Sequence, residues 1–233
     1  MTTIQLLLAL LPVAYLLGSI PFGLIIAKRR GIDPRTAGSG NIGATNVGRL
    51  LGKKVGITVF MLDLLKGLLP TLTASIIVGR HLTMMPGDQT LYFLWLAAGF
   101  AAIMGHMFSI FLRFKGGKGV ATSAGVVLGV WPDYTLAALL VLAVWGVCFK
   151  VTRIVSLSSL VAAVLFPVAY ALTAVMMRRE LLGPRWPLLA FAIVVAAMIV
   201  WKHRTNIARL RAGTETSFRR KSEPLDPPKH SAP

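Results

Sequence analysis

The chain has 233 residues, 55% of them hydrophobic and 14% charged, with a mean hydropathy of +0.72. A water-soluble domain of this size cannot hide that much apolar surface, so the class is integral membrane. The excess of Lys and Arg (25) over Asp and Glu (8) reads at first as a nucleic-acid binder, and the single cysteine, Cys148, excludes an internal disulfide and a thiolate metal cluster.

Crossing the hydrocarbon takes roughly 20 apolar residues in a helix. The first such run, Ile4–Ala27, follows an N-terminus without basic residues. It is too long for a signal-peptide core, so it reads as a retained span. Val55–Val78, Leu91–Leu112 and Ile154–Met177 have matching lengths. Pro187–Trp201 is shorter, with Trp186 and Trp201 bracketing it as interfacial anchors. Between Val120 and Phe149 two shorter runs are split by Trp131-Pro132-Asp133, a turn signal. That pair is either two short spans or a re-entrant hairpin. The expected fold is an all-α integral membrane protein, a polytopic bundle of seven transmembrane helices, or five plus a re-entrant hairpin. Residues 1–212 form the single transmembrane domain, and the polar, Pro-rich residues 213–233 are expected to be a disordered cytoplasmic tail.

Both span counts are odd, so the termini lie on opposite sides. With the N-terminus outside, the outer loops hold Arg80, Arg178, Arg179 and Arg185, Lys66 lies within a span, and every other Lys and Arg falls inside. Loop bias of this kind sets topology, giving N-out and C-in. The net charge of +17 is then a topology signal and an attraction to anionic lipid, with no nucleic acid as partner.

Three polar islands land on the cytoplasmic side. The first, Gly38–Arg49, contains G-x-G-x-x-G at Gly38, Gly40 and Gly43. A dinucleotide turn must follow a β-strand and open a helix of a βαβ unit, and here a membrane helix precedes it. The dinucleotide reading falls, but the physics of the motif remains. Glycines let backbone approach a ligand, and successive N–H groups form an anion-binding nest, here around Gly40. Ser39, Asn41, Thr45 and Asn46 add hydrogen-bonding groups, and Arg49 can grip a phosphate bidentately. The second island, Gly105–Thr122, carries Lys115-Gly116-Gly117-Lys118-Gly119, three glycines and two lysines opening a short helix. It is no Walker A, since Leu112 stands where a Gly is required and Gly119 follows Lys118, yet it is a second candidate phosphate cradle. His106, a turn or more up the span, is costly at that depth without a partner or a function. In the third island, His203–Glu215, His203 and Asn206 are three apart and share a helix face. Arg204 lies on another face, and Arg209 and Glu215 can orient the segment. One intramembrane pair, Asp63 and Lys66, is expected to support the site from behind.

GSGNIGATN with Arg49, FMLDLLKG (Phe60–Gly67), GHMFSIFLRFKGGKGVAT and HRTNIARLRAGTE follow one another in the order and at the overall length of a known family. The chain resembles the bacterial acyl-phosphate:glycerol-3-phosphate acyltransferases of the inner membrane. That resemblance implies seven transmembrane helices with the site facing the cytoplasm. It implies transfer of an acyl group from acyl phosphate to the 1-hydroxyl of glycerol 3-phosphate, releasing lysophosphatidate and phosphate, an early step of phospholipid biosynthesis. It carries substrate and phosphate binding onto Ser39, Arg49, Lys118, His203 and Asn206. One departure stands out: Ser109 follows the Phe of G-H-x-F, where the family usually has Pro.

The inventory of side chains fits this chemistry. Acyl phosphate is already activated, so no covalent nucleophile, metal or cofactor is required, and the lone Cys148 is a poor nucleophile in apolar surroundings. The site must position two phosphorylated reactants beside membrane lipid and stabilise an oxyanion, a task suited to Lys118, Arg49 and loop N–H groups. Ser39 meets a phosphate, and His203 is the candidate general base, a substrate phosphate oxygen being the alternative. A monomer is compatible with all of this. Soluble-type glycerolipid acyltransferases place an Asp five residues after a His; here those positions hold Pro86, Phe111 and Ala208. The rival from another class is a transporter or channel for a small phosphorylated anion, which calls for polar breaks at the bilayer midplane and repeated halves, neither of which the sequence shows.

Overall fold

A computed structural model describes residues 1–84 and 88–218. Within them the chain is helical throughout. In chain order the helices are α1 (Thr3–Ser19), α2 (Phe22–Lys28), α3 (Ala44–Leu51), α4 (Lys53–Met84), α5 (Gln89–Met107), α6 (Val120–Gly129), α7 (Thr135–Thr152), α8 (Val155–Met176), α9 (Trp186–Lys202) and α10 (Arg204–Arg211). The expected first span is broken at Ile20-Pro21, because Pro21 has no N–H with which to continue the ladder. A capping box at Thr2 and Gln5 starts α1, and the Asp88 carboxylate caps α5 by accepting from the N–H groups of Thr90 and Leu91.

Among the described residues, five segments are long and apolar enough to cross a membrane: Thr3–Lys28, Lys53–Gly79, Gln89–Leu112, Thr135–Thr152 and Val155–Met176. Counting the bent pair α9 and α10, which meet at 60°, as one span makes six. The expected seven helices of spanning length are therefore not found among the described residues. The reason lies between Val120 and Phe149, where the turn falls at Trp131-Pro132-Asp133 as expected but divides the stretch unequally. Helix α7 has 18 residues, whereas α6 has 10, a rise of about 15 Å.

Helix α6 nevertheless links the two ends of the bundle. At its start, Lys118 meets Asn206 of α10. Just past its end, Asp133 is held by Arg179 at 2.8 Å and by Arg185, both from the connection between α8 and α9. Tyr134 donates to the Leu188 carbonyl and packs edge-on against Phe166 and Tyr170. Contact between α4 and α6 is backbone to backbone: a Cβ on Gly67 would stand 2.2 Å from the Thr122 carbonyl oxygen, and one on Gly125 2.0 Å from that of Leu64. Small residues allow such an approach where lipid gives helices no hydrophobic reason to associate. A buried polar chain ties the same helices together, with Trp95 Nε1 donating to Ser75 Oγ at 2.8 Å and Ser75 donating to the Gly129 carbonyl at 2.5 Å.

Candidate active site

The loop Gly38–Gly43 is folded by one side chain. Asn46, 1% exposed, accepts from the Ser39 N–H at 2.8 Å and donates through Nδ2 to the carbonyls of Pro34, Ala37 and Asn41. The Asn41 carboxamide accepts from the Gly43 N–H, and the Gly40 N–H goes to the Ala37 carbonyl. This corrects one expectation. Asn46 is buried and spends its carboxamide on folding the loop, and the N–H groups of Ser39, Gly40 and Gly43 are likewise used within it, while the Asn41 carboxamide oxygen accepts from Gly43. The glycines serve instead to turn the chain, with Gly38 and Gly40 at φ +60° and +70°. Thr45 and Arg49 share a face of α3, one turn apart.

The second island is also rebuilt by the structure. The Gly116 and Gly117 N–H groups donate to the carbonyls of Met107 and His106, the last of α5. They satisfy a helix end and do not cradle a phosphate. Gly117 lies flat on the His106 ring, where a Cβ would stand 2.3 Å from Nε2. Lys202 and Tyr15 complete that helix end by donating to the carbonyls of Met107 and Phe108. Ser109, at the departure from the family pattern, donates to the Ser19 carbonyl at 2.6 Å and pins the turn to α1. The two lysines part here. Lys115 is exposed and lines a separate cavity of about 300 Å³ with Arg35, Phe111, Leu112 and Arg113, whereas Lys118 turns inward.

Lys118 donates to the Asn206 carboxamide oxygen. The amide nitrogen of Asn206 donates to Glu215 at 2.6 Å, and the same carboxylate receives Ser156 Oγ at 2.6 Å and Arg209 Nε at 2.7 Å. Glu215, its side chain 5% exposed, is thus the hub of the cluster. Burial pushes its carboxyl upward, but the three hydrogen bonds outweigh that and hold it below the usual carboxylate range. Burial draws the Lys118 ammonium down to about 8. His203 stands at the hinge past the last residue of α9, 3% exposed, its Nδ1 against the Ile199 carbonyl at 2.8 Å. That contact makes Nδ1 the protonated nitrogen and leaves Nε2 a lone pair. Burial draws the imidazole down to about 4, so it is neutral at physiological pH. Arg49 donates to the Thr216 carbonyl at 2.8 Å and lies over the Phe218 ring, with Nε buried and without a hydrogen-bond partner among the described residues. Burial pulls its guanidinium below its usual range, against the pull of Glu215.

Asp63 and Lys66 form the expected buried pair at 2.9 Å, and Lys66 also donates to the Ile20 carbonyl. His106 Nδ1 lies 3.7 Å from Asp63, which sets the pair behind the Lys115–Gly119 loop. Arg204 does not join the site; it is exposed and stacks on Trp201. Ser39 is exposed at the loop crest and makes no hydrogen bond to Lys118, His203 or Asn206 among the described residues. Nothing in the sequence marks Ser156, Thr216 or Phe218, whose roles arise from contacts distant along the chain. Residues 213–218, expected to be disordered, make these specific contacts; the rest of the expected tail, 219–233, lies outside the described residues.

Fold and site define a polytopic membrane protein that gathers Lys118, Arg49 and a neutral imidazole at one end of its helices. The family model described as Glycerol-3-phosphate acyltransferase matches residues 8–213. Proteins called glycerol-3-phosphate acyltransferase from Geotalea daltonii and Aquifex aeolicus are 48% and 44% identical, covering 89% and 88% of this chain and 95% of each relative. The crystal structure of PlsY (YgiH), an integral membrane glycerol 3-phosphate acyltransferase, in its glycerol 3-phosphate form superposes with a TM-score of 0.76 at 43% identity, over 91% of this chain and 96% of that one. Its lysophosphatidic acid form gives 0.75 at 42% identity, over 91% and 95%. The chain belongs to the glycerol-3-phosphate acyltransferase family, an integral membrane family that acylates glycerol 3-phosphate.

Proposed function

We propose that the chain transfers an acyl group from acyl phosphate to the sn-1 hydroxyl of glycerol 3-phosphate, at the cytoplasmic face of a bacterial inner membrane. The observation that carries this reading is the cluster at one end of the bundle, where Lys118 is held by Asn206, and Asn206 by Glu215, in reach of the charges of Arg49 and Arg209. In this reading Lys118 and Arg49 bind phosphate and Ser39 adds a hydroxyl. Lys118 also offsets charge on the carbonyl oxygen as the tetrahedral intermediate forms. The sn-1 hydroxyl attacks the acyl carbon, its proton passes to Nε2 of His203, and the C–O bond to phosphate breaks. Phosphate leaves with the electron pair and takes the proton back from His203. No acyl-enzyme is formed, because phosphate is already a good leaving group and the hydroxyl attacks the acyl carbon directly. The glycerol 3-phosphate and lysophosphatidic acid forms of the related PlsY structures support the substrate and product sides of this scheme.

The basic inner loops support an N-out, C-in orientation in which the chain crosses seven times. The pass through α6 is completed by the turn Val130–Tyr134, since Lys118 and Asp133 meet partners at opposite ends of the bundle. A single domain suffices, acting as a monomer, its site drawing Glu215, Thr216 and Phe218 from beyond residue 212. The test is product stoichiometry and regiochemistry. Phosphate and lysophosphatidate are expected to appear one for one, with the acyl chain at sn-1 by NMR. Acylation at sn-2, or product without phosphate release, would overturn the scheme.

A further inference from the structure

The contacts of residues 214–218 raise a question that the reaction scheme leaves open. Arg49 is a long side chain on an eight-residue helix, and a free guanidinium of that reach samples many rotamers. Here it does not. Its Nη2 donates to the Thr216 carbonyl at 2.8 Å, and its Cζ sits 5.2 Å from the centroid of the Phe218 ring. Phe218 is itself fixed, its N–H donating to the Arg153 carbonyl at 2.8 Å and its ring meeting Phe149 edge-on at 6.1 Å. Glu215, one residue before Thr216, is anchored by Ser156, Asn206 and Arg209. The segment is a strap running from α10 across the α7–α8 corner to α3. Its last contacts, Thr216 and Phe218, lie beyond residue 213, where the match to the family model ends.

We propose that this strap is a positioning element for the phosphate-binding arginine: the Thr216 carbonyl and the Phe218 ring hold the Arg49 guanidinium toward Lys118 and leave its buried Nε–H for a phosphate oxygen. Arg49 touches the substrate, and Phe218 acts through Arg49. The proposal rests on the phosphate-binding reading of Arg49 given above. A ring under a guanidinium preorganises it without taking hydrogen-bond capacity from it, so the effect belongs in substrate affinity.

The test uses the full chain in lipid nanodiscs, with glycerol 3-phosphate binding measured by calorimetry and turnover measured with acyl phosphate. Phe218→Ala is expected to weaken binding and raise KM for glycerol 3-phosphate about three- to tenfold, with kcat and the melting temperature nearly unchanged. Phe218→Tyr is expected to restore affinity to within about twofold, because it keeps the ring. In an Arg49→Ala background, where only binding need be read, Phe218→Ala is expected to add no further loss. Unchanged affinity in Phe218→Ala, an equal added loss in the Arg49→Ala background, or a lost melting transition that Tyr does not restore would each overturn the strap. A wild-type chain that fails to bind glycerol 3-phosphate overturns the proposed function and the strap together. A chain that binds it but is indifferent to Phe218 overturns the strap alone.

Discussion

Lys118 is the residue on which most of the site's electrostatics converge, and its buried position makes pH a direct probe. An ammonium drawn down to about 8 is charged below that pH and loses its charge above it. KM for glycerol 3-phosphate is therefore expected to climb as pH rises through about 8, and Lys118→Arg is expected to hold KM flat to higher pH, checked by initial rates across a pH series. His203→Gln removes the free lone pair at Nε2 while keeping a polar group at the hinge; kcat is expected to fall by about a hundredfold with KM little changed, and near-full turnover would end the base role. Behind these residues, Asp63→Asn leaves Lys66 as a buried, uncompensated charge. It is expected to cost about 3–5 kcal/mol by thermal unfolding, with Asp63→Asn/Lys66→Met recovering part of the loss. Individual residues were legible in the sequence to the extent that their chemistry is local. Lys118, His203 and Asn206 converge as read. Asn46 is not legible in this way, because a buried carboxamide that folds its own loop carries the same letter as one that binds a ligand.

Helices were easier to read than their lengths. Long apolar runs mark α1, α4, α5 and α8, since hydropathy over that length has no soluble alternative, whereas α7 falls mostly within the two shorter runs of 120–149 and still reaches spanning length. What the runs could not show is where backbone approach sets geometry. The glycines of Lys115–Gly119 have the spelling of a phosphate cradle, yet they let the loop lie on the His106 ring and on the carbonyl end of α5. The same glycine chemistry serves binding in one setting and packing in another, and only the three-dimensional neighbours distinguish them. Helix α6 makes the corresponding case between elements, because its register on α4 is fixed by Gly67 and Gly125. Gly125→Leu is expected to force the two helices apart at a cost of more than about 1–3 kcal/mol, and to remove activity by displacing Lys118. Folded yield by size-exclusion chromatography and residual turnover check this together, and a well-folded, active Gly125→Leu protein would contradict the packing argument.

Across the whole molecule, the arrangement depends on which way it sits in the bilayer. The proposed N-out, C-in orientation, argued from charge bias, has Lys53 inside and the connection between α8 and α9 outside. In a Cys148→Ser background, Leu182→Cys, at an 87% exposed position, is expected to react with an impermeant maleimide in intact spheroplasts. Lys53→Cys is expected to react only after lysis, and the reverse pattern would invert the topology. In the proposed orientation Arg49, Lys118 and His203 stand where soluble glycerol 3-phosphate would meet the proposed acyl donor, and the nature of that donor is the centre of the account. The most direct measurement incubates the purified chain with labelled glycerol 3-phosphate and, in parallel, acyl phosphate, acyl-CoA or acyl carrier protein. Lysophosphatidate is expected from acyl phosphate alone; product from acyl-CoA or acyl carrier protein, with none from acyl phosphate, would contradict it.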